Sequence, residues 1–238
     1  MAIAVVTGSS TGIGLATAVT LARAGHTVYA TMRNPKMGGR ELREIAEREH
    51  LPVHIGALDV DSDESVRKAF AKILVEAGRI DVLVNNAGIS VLSAVEETPI
   101  DASRAIMETN YSGALRCIQA VVPGMRERRS GCIVNVTSVT GRLSVAANAA
   151  YSSSKFALEA ASEALAQEVK AFGVRVALVE PASSRHRSSV RCNRRRLTRS
   201  TRIAGASTDS SGLPLRIPFL PTSWGKRFAR LSRVGAGN

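Results

Sequence analysis

Tyr151 and Lys155 stand four residues apart, and Ser138 lies thirteen residues before the tyrosine. A helix that carries the pair places both side chains on one face, one turn apart. A phenol alone is a poor base, with a reference pKa of about 10. A neighbouring ammonium favours the phenolate. Bringing the phenol into the neutral range takes on the order of 4 kcal/mol of differential stabilisation, which a lysine and a second cation in the same site would supply. A tyrosine tuned in this way exchanges a proton with a substrate oxygen at neutral pH, and Ser138 can hold that oxygen by a hydrogen bond. Tyr-x-x-x-Lys pairs also occur on helix surfaces with no chemical role, so the pair takes its meaning from the segments around it.

The N-terminus offers a nucleotide site. Ile3–Thr7 is a short apolar, β-branched run that reads as a buried strand. Gly8, Ser10, Gly12, Ile13 and Gly14 follow within a glycine-rich turn, and a helical pattern runs from Leu15 through Ala18, Val19 and Ala22. Gly25 is placed to end that helix. Strand, glycine turn and helix form a dinucleotide-binding unit, in which glycines admit the backbone to a pyrophosphate at the positive end of the helix. The spacing is Gly-x-x-x-Gly-x-Gly rather than the commoner Gly-x-Gly-x-x-Gly.

A second strand over 27–31 leads to Arg33, where binders of NAD usually place an acidic residue for the ribose 2′-hydroxyl. A guanidinium suits a 2′-phosphate, because its paired donors match phosphate geometry. The expected cofactor is therefore NADP, with NAD the lesser alternative. Asp59 and Val60 follow the apolar run 53–58, and the strand 81–84 runs into Asn85, Asn86, Ala87 and Gly88. The strand 132–136 delivers Ser138 at its carboxyl end, and Val174–Val179 reads as a sixth strand. Ligands of open α/β sheets bind beyond such carboxyl ends, so the candidate residues converge on one rim. The fold class is α/β, a doubly wound parallel sheet of the Rossmann type, in a single domain over residues 1–181.

Thr7-Gly8-x-x-x-Gly12-Ile13-Gly14, Asn85-Asn86-Ala87-Gly88, Asn110, Ser138 and Tyr151-x-x-x-Lys155 occur in this order, and the chain resembles the classical short-chain dehydrogenase/reductase family. The resemblance implies NADP(H)-dependent interconversion of an alcohol and a carbonyl. By it, Tyr151 is the general acid/base, Ser138 positions the substrate oxygen, and Lys155 lowers the tyrosine pKa and binds the nicotinamide ribose. Asn110 would hold a water of the proton relay, Asp59 would meet the adenine, and the Asn85–Gly88 segment would line the cofactor site. Residues 29–33 are similar to members that act on steroids or retinoids, which points to a hydrophobic small-molecule alcohol or ketone as substrate. Homo-oligomers are common in the family.

Composition fits a cytoplasmic enzyme. No apolar run is long enough to span a membrane, and the first apolar run is used as a strand rather than as a signal peptide. Cys117, Cys132 and Cys192 form no close pairs, as expected in a reducing compartment. The histidines and cysteines lack metal-ligand spacing, and no metal is expected. The net charge of +12 would ordinarily point to nucleic acid or an anionic membrane. However, residues 183–238 hold 13 of the 32 Lys+Arg and one of the 20 Asp+Glu, which leaves 19 of each sign for residues 1–182. The first part is a neutral enzyme with no specific nucleic-acid partner.

The last part departs from the pattern. After Glu180-Pro181 the family would have a glycine and then a threonine that contacts the nicotinamide amide, whereas this chain has Ala182-Ser183-Ser184-Arg185-His186-Arg187-Ser188-Ser189. Residues 182–238 read as a basic, disordered tail, without the family's lid, helices and edge strand. One reading is a basic arm that binds phosphates, which would make the chain a catalytically impaired nucleotide-binding protein with a phosphate-binding tail. The other is a change of reading frame. Gly-Ile-Ile-Ala-Thr-Pro-Ile-Phe, written GGC ATC ATC GCG ACA CCG ATC TTC, becomes Ala-Ser-Ser-Arg-His-Arg-Ser-Ser once its first guanine is lost. That restored text contains both the glycine and the threonine, so the frame change accounts for more of the sequence. Limited proteolysis should then cut after Arg185 and leave a core near residues 1–181, and restoring one guanine after the Pro181 codon should raise both the melting temperature and turnover. Protease resistance through residue 238 with robust activity would favour a genuine basic terminus.

Overall fold

The computed structural model describes residues 1–181, and the expectations for residues 182–238 lie outside the described residues. Six strands form one sheet: β1 (Ile3–Thr7), β2 (Thr27–Met32), β3 (Val53–Ala57), β4 (Val82–Asn85), β5 (Gly131–Val136) and β6 (Val174–Val179). Every pairing is parallel, in the order β3-β2-β1-β4-β5-β6. The strand limits agree with the apolar runs to within one residue.

Alternation along the strands assigns the two faces of the sheet. Ala4, Val6, Val28, Val84 and Val134 pack with α1 (Gly12–Arg23) and with Leu42 of α3 (Arg40–Arg48), a helix that the short α2 (Pro35–Gly38) precedes. Val5, Leu83 and Ile133 face the other way. They meet Phe70 and Ile73 of α4 (Asp63–Ala77), Ile118, Val121 and Met125 of α6 (Gly113–Glu127), and Val169 of α7 (Ala149–Lys170). A strand buried on both faces has no polar side to show, which is why the central strands read as continuous apolar runs. The remaining helix, α5 (Ile100–Met107), leads into a π-helical turn over Glu108–Ser112 before α6 begins. Among the described residues, no helix is long and apolar enough to cross a membrane.

Strand order reverses between β1 and β4, and the turn after β1 opens at that point. Gly8 has φ +66°, and a Cβ there would lie 2.8 Å from the Ala87 backbone. Gly14 has a different reason to be glycine: a Cβ would collide with the Gly8 carbonyl oxygen and the Asn86 side-chain amide. The absence of a side chain thus lets the first turn of α1 close against the ends of β1 and β4. Gly14→Ala should cost about 1–3 kcal/mol, as overpacking does, seen as a lower urea midpoint. The shifted turn should also weaken NADPH binding. A variant with wild-type midpoint and affinity would show that this contact is slack.

Candidate active site

The turn after β1 is locked from β4. Thr7 Oγ1 accepts from the backbone N–H groups of Asn86 and Ala87, each at 3.0 Å. The Asn86 side-chain amide donates to the carbonyls of Thr7 (2.9 Å) and Gly8 (3.0 Å). The glycine turn and the loop after β4 therefore move as one body. Thr11 precedes α1 without a side-chain cap, and no acidic residue lies in the first turn. The leading N–H groups of the helix stay free for an anion, and the local field favours one.

An open cavity of about 430 Å³ runs along the carboxyl ends of the strands. At one end it is lined by Gly8, Ser10, Gly12, Ile13 and Arg33, and beside these by Asp59 and Val60. Arg33 is exposed, and no described carboxylate forms a salt bridge with it. Asp59 Oδ1 accepts from the Asp61 N–H at 3.2 Å, and the Asp59 N–H donates to Ser65 Oγ at 2.9 Å, which holds this loop against α4. Further along, Ala87 and Gly88 line the floor, and Ser138, Tyr151 and Lys155 line the far end. One cavity thus joins the glycine turn to the Ser-Tyr-Lys set.

Three expected site residues stand elsewhere. Asn85 is buried and does not line the cavity. Its amide donates to Asn135 Oδ1 at 2.8 Å inside the sheet. Gly14 serves the helix–strand approach described above rather than the cavity wall. Asn110, 1% exposed, also lies behind the wall. Its amide donates to the Ile89 carbonyl and to Ser154 Oγ, both at 2.9 Å, and its Oδ1 accepts from the Ile89 N–H at 2.8 Å. Ser154 Oγ in turn donates to the Tyr151 carbonyl at 2.7 Å. The Asn110 side chain is therefore spent on tying the loop after Gly88 to the first turn of α7. The π-helical turn that carries it interrupts an otherwise regular run of helix, a feature common at functional sites.

Ser138 is 8% exposed and caps the turn Val139–Gly141. Its Oγ accepts from the Thr140 N–H at 3.2 Å and lies 3.0 Å from Thr140 Oγ1. Lys155, 4% exposed, donates from Nζ to the Val136 carbonyl at 2.8 Å, and Nζ lies 5.6 Å from the Tyr151 ring centroid. Burial pushes the lysine pKa down to about 8, against the pull of Glu159. Burial pushes the Tyr151 phenol up, and a hydrogen bond with Ser138 only partly offsets it. Desolvation disfavours the phenolate, and the expected lowering calls on a second cation beside Lys155.

Sequence reasoning placed Asn86 only within the Asn85–Gly88 segment and left Ser154 out of the site. Asn86 stood within the quoted Asn-Asn-Ala-Gly segment, but only the fold tells which asparagine faces the turn. Ser154 carried no signal of its own.

The family model for short chain dehydrogenases matches residues 2–193. Retinol dehydrogenase 8 of Homo sapiens is 42% identical over 181 residues, which cover 74% of this chain and 57% of the relative. A 3-ketodihydrosphingosine reductase of Bacteroides thetaiotaomicron is 39% identical over 179 residues, 75% of this chain and 62% of the relative. The chain therefore spans about three-fifths of the length of these curated relatives. Among solved structures, a metagenomic short-chain oxidoreductase in complex with NADP aligns with TM-score 0.72 and 33% identity, covering 76% of this chain and 82% of that one. An alcohol dehydrogenase from Thermococcus sibiricus, complexed with 5-hydroxy-NADP, aligns with TM-score 0.72 and 28% identity, covering 77% of each chain. The family model covers most of the chain, the curated relatives share more than a third of the aligned residues and the solved relatives share its fold, and the chain belongs to the short-chain dehydrogenase family.

Proposed function

We propose that this protein is an NADP(H)-dependent oxidoreductase that interconverts an alcohol and a carbonyl, with Tyr151 as general acid/base. The observation that carries the reading is the single cavity that joins the glycine turn and Arg33 to Ser138, Tyr151 and Lys155. The cradle suits a dinucleotide, because Gly8 and Gly14 leave no room for side chains at the turn and the N-terminus of α1 is uncapped. When bound, NADP(H) donates or accepts the hydride. The turn and α1 would hold its pyrophosphate, Arg33 and Ser10 its 2′-phosphate, Asp59 its adenine, and Lys155 its nicotinamide ribose.

The protein's own residues handle the oxygen and the proton. Ser138 is held by its turn and presents a hydroxyl to the substrate oxygen. Tyr151, with its pKa pushed up by burial, stands protonated at neutral pH, which is the form that donates to a carbonyl oxygen during reduction. Alcohol oxidation needs the phenolate, and there the buried ammonium of Lys155 supplies the stabilising charge. Asn110 acts by holding the loop after Gly88 and the start of α7 in place.

Two relatives are named for retinol and for 3-ketodihydrosphingosine, which supports a hydrophobic alcohol or ketone. So do the exposed apolar side chains of Leu92, Leu143 and Val145. They lie on two loops joined by the Ser93 N–H bond to the Ala147 carbonyl at 2.9 Å.

Replacement of Tyr151 by phenylalanine removes only the proton-transfer group. Turnover should fall at least about 100-fold, the lower range for a general acid/base, with NADPH affinity nearly unchanged in a fluorescence titration. Comparable turnover in the variant would remove Tyr151 from this role. Arg33→Ala should weaken NADPH by about 1.5–3 kcal/mol, the value of a hydrogen bond to a charged group, and leave NADH unaffected. Equal losses for both cofactors would mean that Arg33 does not read the phosphate.

A further inference from the structure

Glu159 is a buried carboxylate to which the mechanism above gives no task. It lies one helical turn beyond Lys155 on α7 and is 6% exposed. Neither carboxylate oxygen has a well-formed hydrogen bond among the described residues: the nearby Thr137 hydroxyl donates to the Val179 carbonyl at 3.1 Å. An ion taken out of water without partners is costly, so a buried carboxylate is expected to face a compensating charge or to neutralise.

The charged groups around Glu159 come from each element packed on it. Arg142, in the loop after Ser138, brings Nη2 to 3.5 Å from Glu159 Oε2 and donates from Nε to Glu180 Oε1 at 2.7 Å. Glu180 follows β6, and Glu163 stands on the next turn of α7; both are negative and oppose ionisation of Glu159. Lys155, on the turn before, is positive and buried, and Glu159 favours its charged form. The Val139–Gly141 turn rests on the same two residues. A Cβ at Gly141 would lie 3.2 Å from Lys155 Cβ and 3.3 Å from Glu159 Cγ. The Ser138 turn, Lys155 and Glu159 therefore form one packed unit.

We propose that Glu159 is a positioning residue: its buried carboxylate is the internal counter-charge of the Lys155 ammonium and, through Arg142, holds the Ser138 turn against the helix that carries Tyr151. The inference rests on the reading of Lys155 as the partner of Tyr151. Lys155 has three protons to donate and spends one on the Val136 carbonyl at 2.8 Å. That dipole alone does not offset complete burial. Glu159 is the group that opposes the fall of the lysine pKa, which burial drives down to about 8. Its removal leaves the ammonium with carbonyl and solvent-poor surroundings only, so proton loss moves toward neutral pH. Burial also pushes the Glu159 pKa up, the Thr137 hydroxyl and Arg142 oppose that, and Glu180 and Glu163 add to it. Arg142 thus helps to keep the counter-charge in place.

The test is a pH titration of the full chain by NMR, with carbon-13 in the lysine and glutamate side chains. In the wild type the Lys155 signal should titrate near pH 8. Glu159→Gln should lower that midpoint by about one pH unit, and Glu159→Asp should recover most of the difference. Carbonyl reduction by Glu159→Gln should lose kcat/KM at alkaline pH about one pH unit earlier than the wild type. A wild-type Lys155 midpoint in Glu159→Gln that melts at the wild-type temperature would overturn the proposal. If Glu159→Gln does not fold, the wild type decides. The Glu159 carboxyl signal must then move as Lys155 loses its proton, and a flat signal across that range overturns the pairing. The titration uses neither cofactor nor substrate. Failure of the dehydrogenase reading would show in the turnover of Tyr151→Phe and not in these midpoints.

Discussion

Thr7 and Asn86 join the two halves of the sheet at the point where strand order reverses. The hydroxyl of Thr7 takes two backbone N–H groups from the end of β4, and the Asn86 amide returns two bonds to the end of β1. Four bonds cross between chain segments 78 to 80 residues apart, at a place where ladder pairing has stopped. The consequences run outward. Gly8 can approach Ala87, α1 can dock through Gly14, and the loop that leaves Gly88 starts from a fixed point. Asn110 takes hold of that loop at Ile89 and passes the constraint to Ser154 and the Tyr151 backbone. Hydrogen bonds joined by the short backbone stretch from Asn86 to Ile89 thus connect the glycine turn to the helix that carries Tyr151.

Burial acts on the two central ionisable groups in the same sense. It pushes the Tyr151 phenol up and the Lys155 ammonium down, so each is driven toward its neutral form. The two shifts have different consequences. A neutral phenol is ready to give a proton, whereas a neutral lysine loses its use as an electrostatic partner. The site therefore has most need of a charge that favours the ammonium, and Glu159 stands within the same helix one turn away.

The strands were legible because each is a short β-branched run closed by glycine, asparagine or a charge, and period and length suffice for that. The Tyr151–Lys155 pair was legible because one helical turn is a local relation. Relations between distant segments were not. Asn85 and Asn86 are adjacent and chemically identical, yet one faces Asn135 within the sheet and the other faces the glycine turn. A strand alternates its faces, and the phase at its last residue depends on where pairing stops. Asn110 was singled out only by the resemblance, and its structural task was hidden because its partners Ile89 and Ser154 lie 21 and 44 residues away. Spacing likewise reports that Tyr151 lies near a cation, but not that burial pushes its phenol up.

Parallel strands place all their carboxyl ends on one rim, so residues in the following loops reach the site without further arrangement. Gly8, Arg33, Asp59, Ala87 and Ser138 are all of this kind. Tyr151 and Lys155 are not, because they ride on α7, and a helix can slide along a sheet. Apolar contacts resist such sliding weakly, since one aliphatic side chain replaces another. Two buried polar bonds supply the register instead. Asn135 of β5 donates to Ser162 Oγ at 2.7 Å, and Lys155 donates to the Val136 carbonyl at 2.8 Å. A slip of one turn, about 5.4 Å, would break both and leave buried polar atoms unpaired, at about 1–3 kcal/mol for each. Both bonds end on β5, the strand that delivers Ser138. The serine and the tyrosine are therefore both referenced to β5.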